Sequence, residues 1–107
     1  MPDFVNNVLA LIGNTPIVSL TSMGEPGCAH VLGKLESRNP GGSVKDRVAL
    51  AMIEDAEARG AIQQGHTIVE ASGGNMGIAL AVVGVAKGYH VLIFMPEGGS
   101  PDLRTRL

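Results

Sequence analysis

Two short stretches of the 107-residue chain hold residue types and spacings that could do chemistry. The first is Gly41-Gly42-Ser43-Val44-Lys45-Asp46-Arg47, a glycine loop running into a helix. On a helical wheel Lys45 lies within about 40° of Ala49, Met52 and Ala56, so its amine starts from an apolar stripe at the first turn. Desolvation and the positive end of the helix dipole both disfavour an ammonium there, leaving the neutral nucleophile that Schiff-base chemistry requires. The alternative is a side chain that snorkels past the helix end into water. The second stretch is Glu70-Ala71-Ser72-Gly73-Gly74-Asn75-Met76-Gly77, a strand, a glycine loop and a helix start. Such a loop aims free N–H groups at one point and adds the helix dipole, which suits a carboxylate or phosphate. It also serves as a tight turn, and the G-x-G-x-x-G spacing of dinucleotide sites is absent.

The elements that must position these residues follow from punctuation and period. Val5 to Ile12 reads as a short helix ended by Gly13, and Thr15 to Leu20 as a strand opened by Pro16. Ala29 to Glu36 reads as a second strand that could form a hairpin with the first. Ser43, three residues before Asp46, starts a capping-box-like helix that runs to about Arg59. Its apolar face is expected to carry Val48, Ala49, Met52, Ile53 and Ala56, with Arg47, Glu54 and Glu57 opposite. Thr67 to Ala71 is a strand, Asn75 to Lys87 an all-round apolar helix closed by Gly88, and Tyr89 to Met95 a further strand. Ser100 and Pro101 open another helix that has barely two turns before Leu107. This alternation predicts an α/β fold: a parallel sheet with helices on both faces, three-layer and partial. Residues 1–107 are read as a single partial domain, with an N-terminal segment of strands over 1–38 and the α/β region carrying both stretches over 39–107.

Composition narrows the class further. With 45% hydrophobic, 17% charged and 3% aromatic residues and a net charge of -2, the chain reads as a globular protein built on aliphatic side chains. It has no basic footprint for nucleic acid or an anionic membrane. No apolar run is long enough to cross a bilayer, and the start lacks a signal peptide's basic region, so a cytoplasmic protein is expected. The single cysteine, Cys28, is read as an inert thiol, and His30, His66 and His90 as scattered surface or edge imidazoles. No metal site is expected.

Taken together, the two stretches resemble the cysteine synthase (O-acetylserine sulfhydrylase) family of pyridoxal phosphate (PLP) enzymes, most closely its B-type members. The resemblance runs from Leu11-Ile12-Gly13-Asn14-Thr15-Pro16 through Lys34-Leu35-Glu36, Asn39 to Arg47 and Glu70-Ala71 to Met95-Pro96-Glu97. It implies a tryptophan-synthase-β-like fold. It also implies that Lys45 carries PLP and acts as the catalytic base, that Asn75 hydrogen-bonds the cofactor's ring hydroxyl, and that Ser72, Gly73, Gly74, Asn75 and Met76 bind the substrate carboxylate. The implied reaction is β-replacement: acetate leaves O-acetylserine and sulfide takes its place. Implied partners are a small amino-acid substrate and either further copies of the chain or a complementary chain.

Two departures accompany the resemblance. Where the family usually has Thr-Ser-Gly-Asn-Thr-Gly, this chain has Ser72-Gly73-Gly74-Asn75-Met76-Gly77, which keeps one hydroxyl and loses two. Each lost hydrogen bond to a carboxylate is worth about 1.5–3 kcal/mol. Gly98-Gly99 likewise replaces a bulkier pair. The family's phosphate-gripping glycine loop and later strands have no counterpart in the 107 residues, so the chain alone is expected to be weakly active or inactive. Other readings are a cystathionine β-synthase-like or dehydratase-like enzyme of the same fold, and a non-catalytic binding or assembly module.

Overall fold

A computed structural model of the chain describes residues 4–107; the first three residues of the 1–38 segment lie outside it. After a short 3-10 helix, Val8–Leu11, come β1 (Ile17–Ser19) and β2 (Leu32–Lys34), a small antiparallel hairpin pairing Ile17 with Lys34 and Ser19 with Leu32. Then follow α1 (Lys45–Ala58), β3 (Thr67–Ala71), α2 (Asn75–Ala86), β4 (His90–Phe94) and α3 (Pro101–Arg106). The expected elements are therefore present, with the first helix and the hairpin strands shorter than their apolar runs suggested. Asn7 sets the first boundary, because its side chain accepts from the Leu9 amide at 2.9 Å and starts the helix there.

Both long helices stop by the same device. Gly60 (φ +71°) and Gly88 (φ +83°) take the left-handed conformation that favours glycine. The next residues close the ends: Ala61 N–H donates to Ala56 C=O at 2.8 Å and Tyr89 N–H to Gly84 C=O at 2.9 Å. Tyr89 is buried, and its hydroxyl donates to Glu57 Oε1 at 3.0 Å while Lys87 Nζ reaches Glu57 Oε2 at 3.1 Å. These bonds tie the last turn of α1 to the end of α2.

The strands β3 and β4 pair in parallel, Thr67 beside His90 through Ala71 beside Phe94, with α2 as the crossover. Alternation sets Ile68, Val91 and Ile93 on the half-buried face toward α2. Gly77 and Gly84, two turns apart on α2, allow the close approach: a Cβ at Gly84 would lie 2.5 Å from Val91 Cγ2, and one at Gly77 3.1 Å from Ile93 Cγ2. The other side of α2 packs on α1, where Ala49, Ile53, Ala79, Leu80, Val83 and Tyr89 make the core. The chain is thus mixed α/β with a parallel pair, as its alternation implies. Its described helices α1 and α2 stack on one face of that pair, α2 on the strands and α1 on α2. The opposite face, with Val69 (58% exposed), Leu92 (48%) and Phe94 (58%), is open.

Candidate functional site

Since β3 and β4 are parallel, both carboxyl ends point to one edge, the usual place for a ligand in an open α/β sheet. The loops leaving that edge lie together. Ser72 N–H donates to Phe94 C=O at 2.9 Å, and a Cβ at Gly73 would be 3.4 Å from Pro96 Cδ. Arg106, from α3, donates to the Gly41 carbonyl at 2.7 Å, which brings α3 against the loop before Lys45.

Lys45 is the first residue of α1, with its side chain exposed. The apolar surroundings expected for its amine are not supplied by the described residues. Ala49 and Ile53 of the expected face are buried, but the stripe is rotated to include Asp46, while Val48 (39%) and Met52 (53%) are exposed. Hydropathy alone excludes Asp46 from a core face, and small Ala49 allows the close packing on α2 that sets the rotation. The Lys45 amine nevertheless differs from the other two lysines. Lys34 Nζ donates to Thr15 C=O at 2.8 Å, and Lys87 Nζ pairs with Glu57 at 3.1 Å and Glu54 at 3.8 Å. Among the described residues Lys45 Nζ has no such partner.

What holds the loop before Lys45 is a polar network that sequence spacing did not reveal. Arg47 grips Glu36 with two bonds, Nε to Oε2 at 2.8 Å and Nη2 to Oε1 at 3.0 Å. The Thr15 hydroxyl donates to Glu36 Oε1, and Asn39 Nδ2 donates to Glu36 Oε2 at 2.9 Å. Asn39 also spans the junction, accepting from Gly13 N–H at 2.8 Å and donating to Ser43 C=O at 3.0 Å. The hydrogen bonds from Arg47 first and Thr15 next hold the Glu36 carboxyl down at about 2; its partial burial opposes them and Asn39 adds to them. The same bond to Glu36 raises the Arg47 guanidinium. Thr15, Glu36, Asn39 and Arg47 sit in the matching stretches quoted above, but only the fold brings them together.

At the second stretch Ser72 spends its hydroxyl locally. Its Oγ accepts from Gly74 N–H at 3.2 Å and from Gly77 N–H at 3.1 Å, capping α2. The Ser72 amide belongs to the sheet. No protein acceptor is seen for the amides of Gly73, Asn75 and Met76 among the described residues, so these three are the donors left for an anion. The Asn75 side chain is exposed. Met76, in contrast, packs its side chain against the core, leaving only its backbone for a ligand.

The glycine loop that leads to Lys45 is tied by Arg106 of α3 to the segment that leaves the carboxyl edge of the strand pair, the edge at which open α/β sheets hold their ligands. Residues 8–107 match the model of the pyridoxal-phosphate dependent enzyme family, and the chain belongs to that family. It is 52% identical over 103 residues to a cysteine synthase of Staphylococcus aureus, covering 96% of this chain and 33% of the relative. Against cysteine synthase B of Escherichia coli it is 49% identical over 96 residues, with 90% and 32% covered. The solved structure of an O-ureido-L-serine synthase superposes with a TM-score of 0.89 at 48% identity, over 96% of this chain and 32% of that one. The chain thus spans about a third of the length of these relatives. No helix among the described residues is long and apolar enough to cross a membrane.

Proposed function

We propose that this chain carries the lysine-bearing half of a cysteine-synthase-type site, serving β-replacement of O-acetylserine by sulfide in cytoplasmic cysteine biosynthesis. The observation that carries the reading is Lys45. It is an exposed amine with no ion-pair partner among the described residues, on a backbone held by Asn39, Glu36 and Arg47, in a chain whose α2 loop has free amides. These residues fit PLP: Lys45 would attach its aldehyde carbon, and Asn75 would meet its ring hydroxyl. When bound, the cofactor supplies the electron sink that lets a Cα–H bond break.

The chain's own residues would then act as follows. The amides of Gly73, Asn75 and Met76 hold the substrate carboxylate and orient Cα. Lys45 Nζ takes the Cα proton and returns it at the end, while the Cβ–O bond to acetate breaks and a Cβ–S bond to sulfide forms. Ser72 keeps the loop in shape by capping α2. With Lys45 and Asn75 both solvent-exposed, little excludes water, so turnover by these 107 residues alone is expected to be low.

The test is chemical. PLP is added to the folded chain and the new C–N bond is fixed by borohydride, which delivers hydride to carbon after water has left. Peptide mapping is expected to find Lys45 labelled ahead of Lys34 and Lys87, whose amines are engaged. Equal labelling of the three would overturn the assignment of Lys45.

A further inference from the structure

The residue after Lys45 is the most deeply buried charged side chain described. Asp46 is 0% exposed, its Oδ2 accepts from the Gly41 amide five residues back, and its Oδ1 is buried without a hydrogen-bond partner. A carboxylate at a helix start ordinarily serves the first-turn amides and the dipole. This one reaches outward instead, to the loop. The two glycines there have separate reasons. Gly42 has φ +87°, whereas Gly41 has no left-handed conformation to explain it. Gly41 is required by space: a Cβ there would lie 2.3 Å from Asp46 Oδ1 and 3.0 Å from its Cγ. From the other side Arg106 holds the Gly41 carbonyl at 2.7 Å, and Ser43 Oγ accepts from the Lys45 amide at 3.1 Å. Residues 41 to 46 therefore close into a ring, with Val44 and Lys45 as the members whose side chains are exposed and Lys45 as the one that carries a nucleophile.

We infer that Asp46 is a positioning residue, which aims Lys45 by locking the Gly41 amide beneath the start of α1. This rests on Lys45 being the cofactor lysine. The orphaned Oδ1 agrees with it: a buried acceptor without a partner is a cost that a purely structural cap would avoid. The bond is attacked from both ends, by Asp46→Ala and by Gly41→Ala, singly and together. Asp46→Asn, which keeps an acceptor for the Gly41 amide, serves as the conservative variant. Gly84→Ala, in the α2–strand contact away from the ring, serves as a destabilised control.

Two readouts are taken on the 107-residue chain: amide exchange of residues 41–46 without cofactor, and selectivity of PLP–borohydride labelling for Lys45 over Lys34 and Lys87. Asp46→Ala and Gly41→Ala are each expected to speed exchange in 41–46 and to lower the selectivity about ten-fold, since misaiming a reacting group costs on that order or more. The double variant should lose no more than the worse single one, because both act through one contact. Asp46→Asn should keep most of the selectivity, and Gly84→Ala should keep it despite lower stability. Unchanged selectivity or exchange in both alanine variants overturns the inference, as does an additive double variant or an equal loss in Gly84→Ala. If Asp46→Ala does not fold, Gly41→Ala decides alone. Absence of Lys45 selectivity in the unsubstituted chain is a separate outcome, and it overturns the reading of Lys45 together with this role.

Discussion

Glu36 shows how far a single side chain can govern this site. Its carboxyl is held near 2 against an ordinary value of 4.5, by hydrogen bonds from Arg47 and Thr15 foremost. The folded state thus resists protonation that the unfolded chain accepts. The stabilisation is fully present above 4.5 and is lost as pH falls through that value toward about 2. Thermal unfolding of the native chain and of Glu36→Gln should therefore converge across this window, the native chain losing its advantage on acidification. Parallel curves would mean that the Glu36–Arg47 pair carries no net stability. The sequence concealed this pair for a physical reason. Residues 15, 36 and 47 meet only after the hairpin folds back on α1, and no helical or strand period relates them. Asp46 was hidden in another way, since a hydropathy wheel assigns any carboxylate to the wet face.

At the scale of elements, legibility followed punctuation. The bounds expected for β3, α2 and β4 hold to within a residue at either end, because Gly74 stands as the extended cap before α2 and Gly88, left-handed at φ +83°, closes its end before β4. The hairpin ends are fainter. Only three residues of each strand pair: Leu20 and Ala29 to Val31 belong to the loop between them, with its 3-10 turn Thr21–Met23, and Glu36 opens a second 3-10 turn that ends at Arg38. Glycine inside α2 has a different use from glycine at its ends. Gly84→Ala gains about 1 kcal/mol of helix propensity, but its Cβ would enter within 2.5 Å of Val91 Cγ2 and 3.3 Å of Ile68 Cδ1. A β-branched neighbour has little rotamer freedom to yield. Overpacking of this kind costs about 1–3 kcal/mol, so a net loss of roughly 1 kcal/mol in unfolding free energy is expected, read as a lower denaturant midpoint at unchanged slope. Gly98→Ala, with nothing within 4 Å of its Cβ, is expected to be near neutral. A stabilised Gly84→Ala would show that α2 does not press on the strands.

Over the whole molecule, the chain is less compact than its length would allow. Its radius of gyration is 17.0 Å, against about 13 Å for a compact domain of this size. The α1–α2 layer covers one face of β3–β4 and leaves Val69, Leu92 and Phe94 exposed on the other. Parallel strands rarely leave a face to water. We expect the chain to associate in solution, and Val69→Lys with Phe94→Lys to weaken that association. Light scattering showing a folded monomer at micromolar concentration would contradict it. Which surface covers this face could not be read from the sequence, because a strand that is apolar throughout looks the same whichever of its faces is covered.

The most direct measurement of the central claim is an absorbance titration of PLP into the chain and into three variants, Lys34→Ala, Lys45→Ala and Lys87→Ala. The account predicts a saturable spectral change in the unsubstituted chain that survives loss of Lys34 or Lys87, both held by other partners, and disappears with Lys45 while the far-ultraviolet circular dichroism stays native. An undiminished spectral change in Lys45→Ala would contradict it.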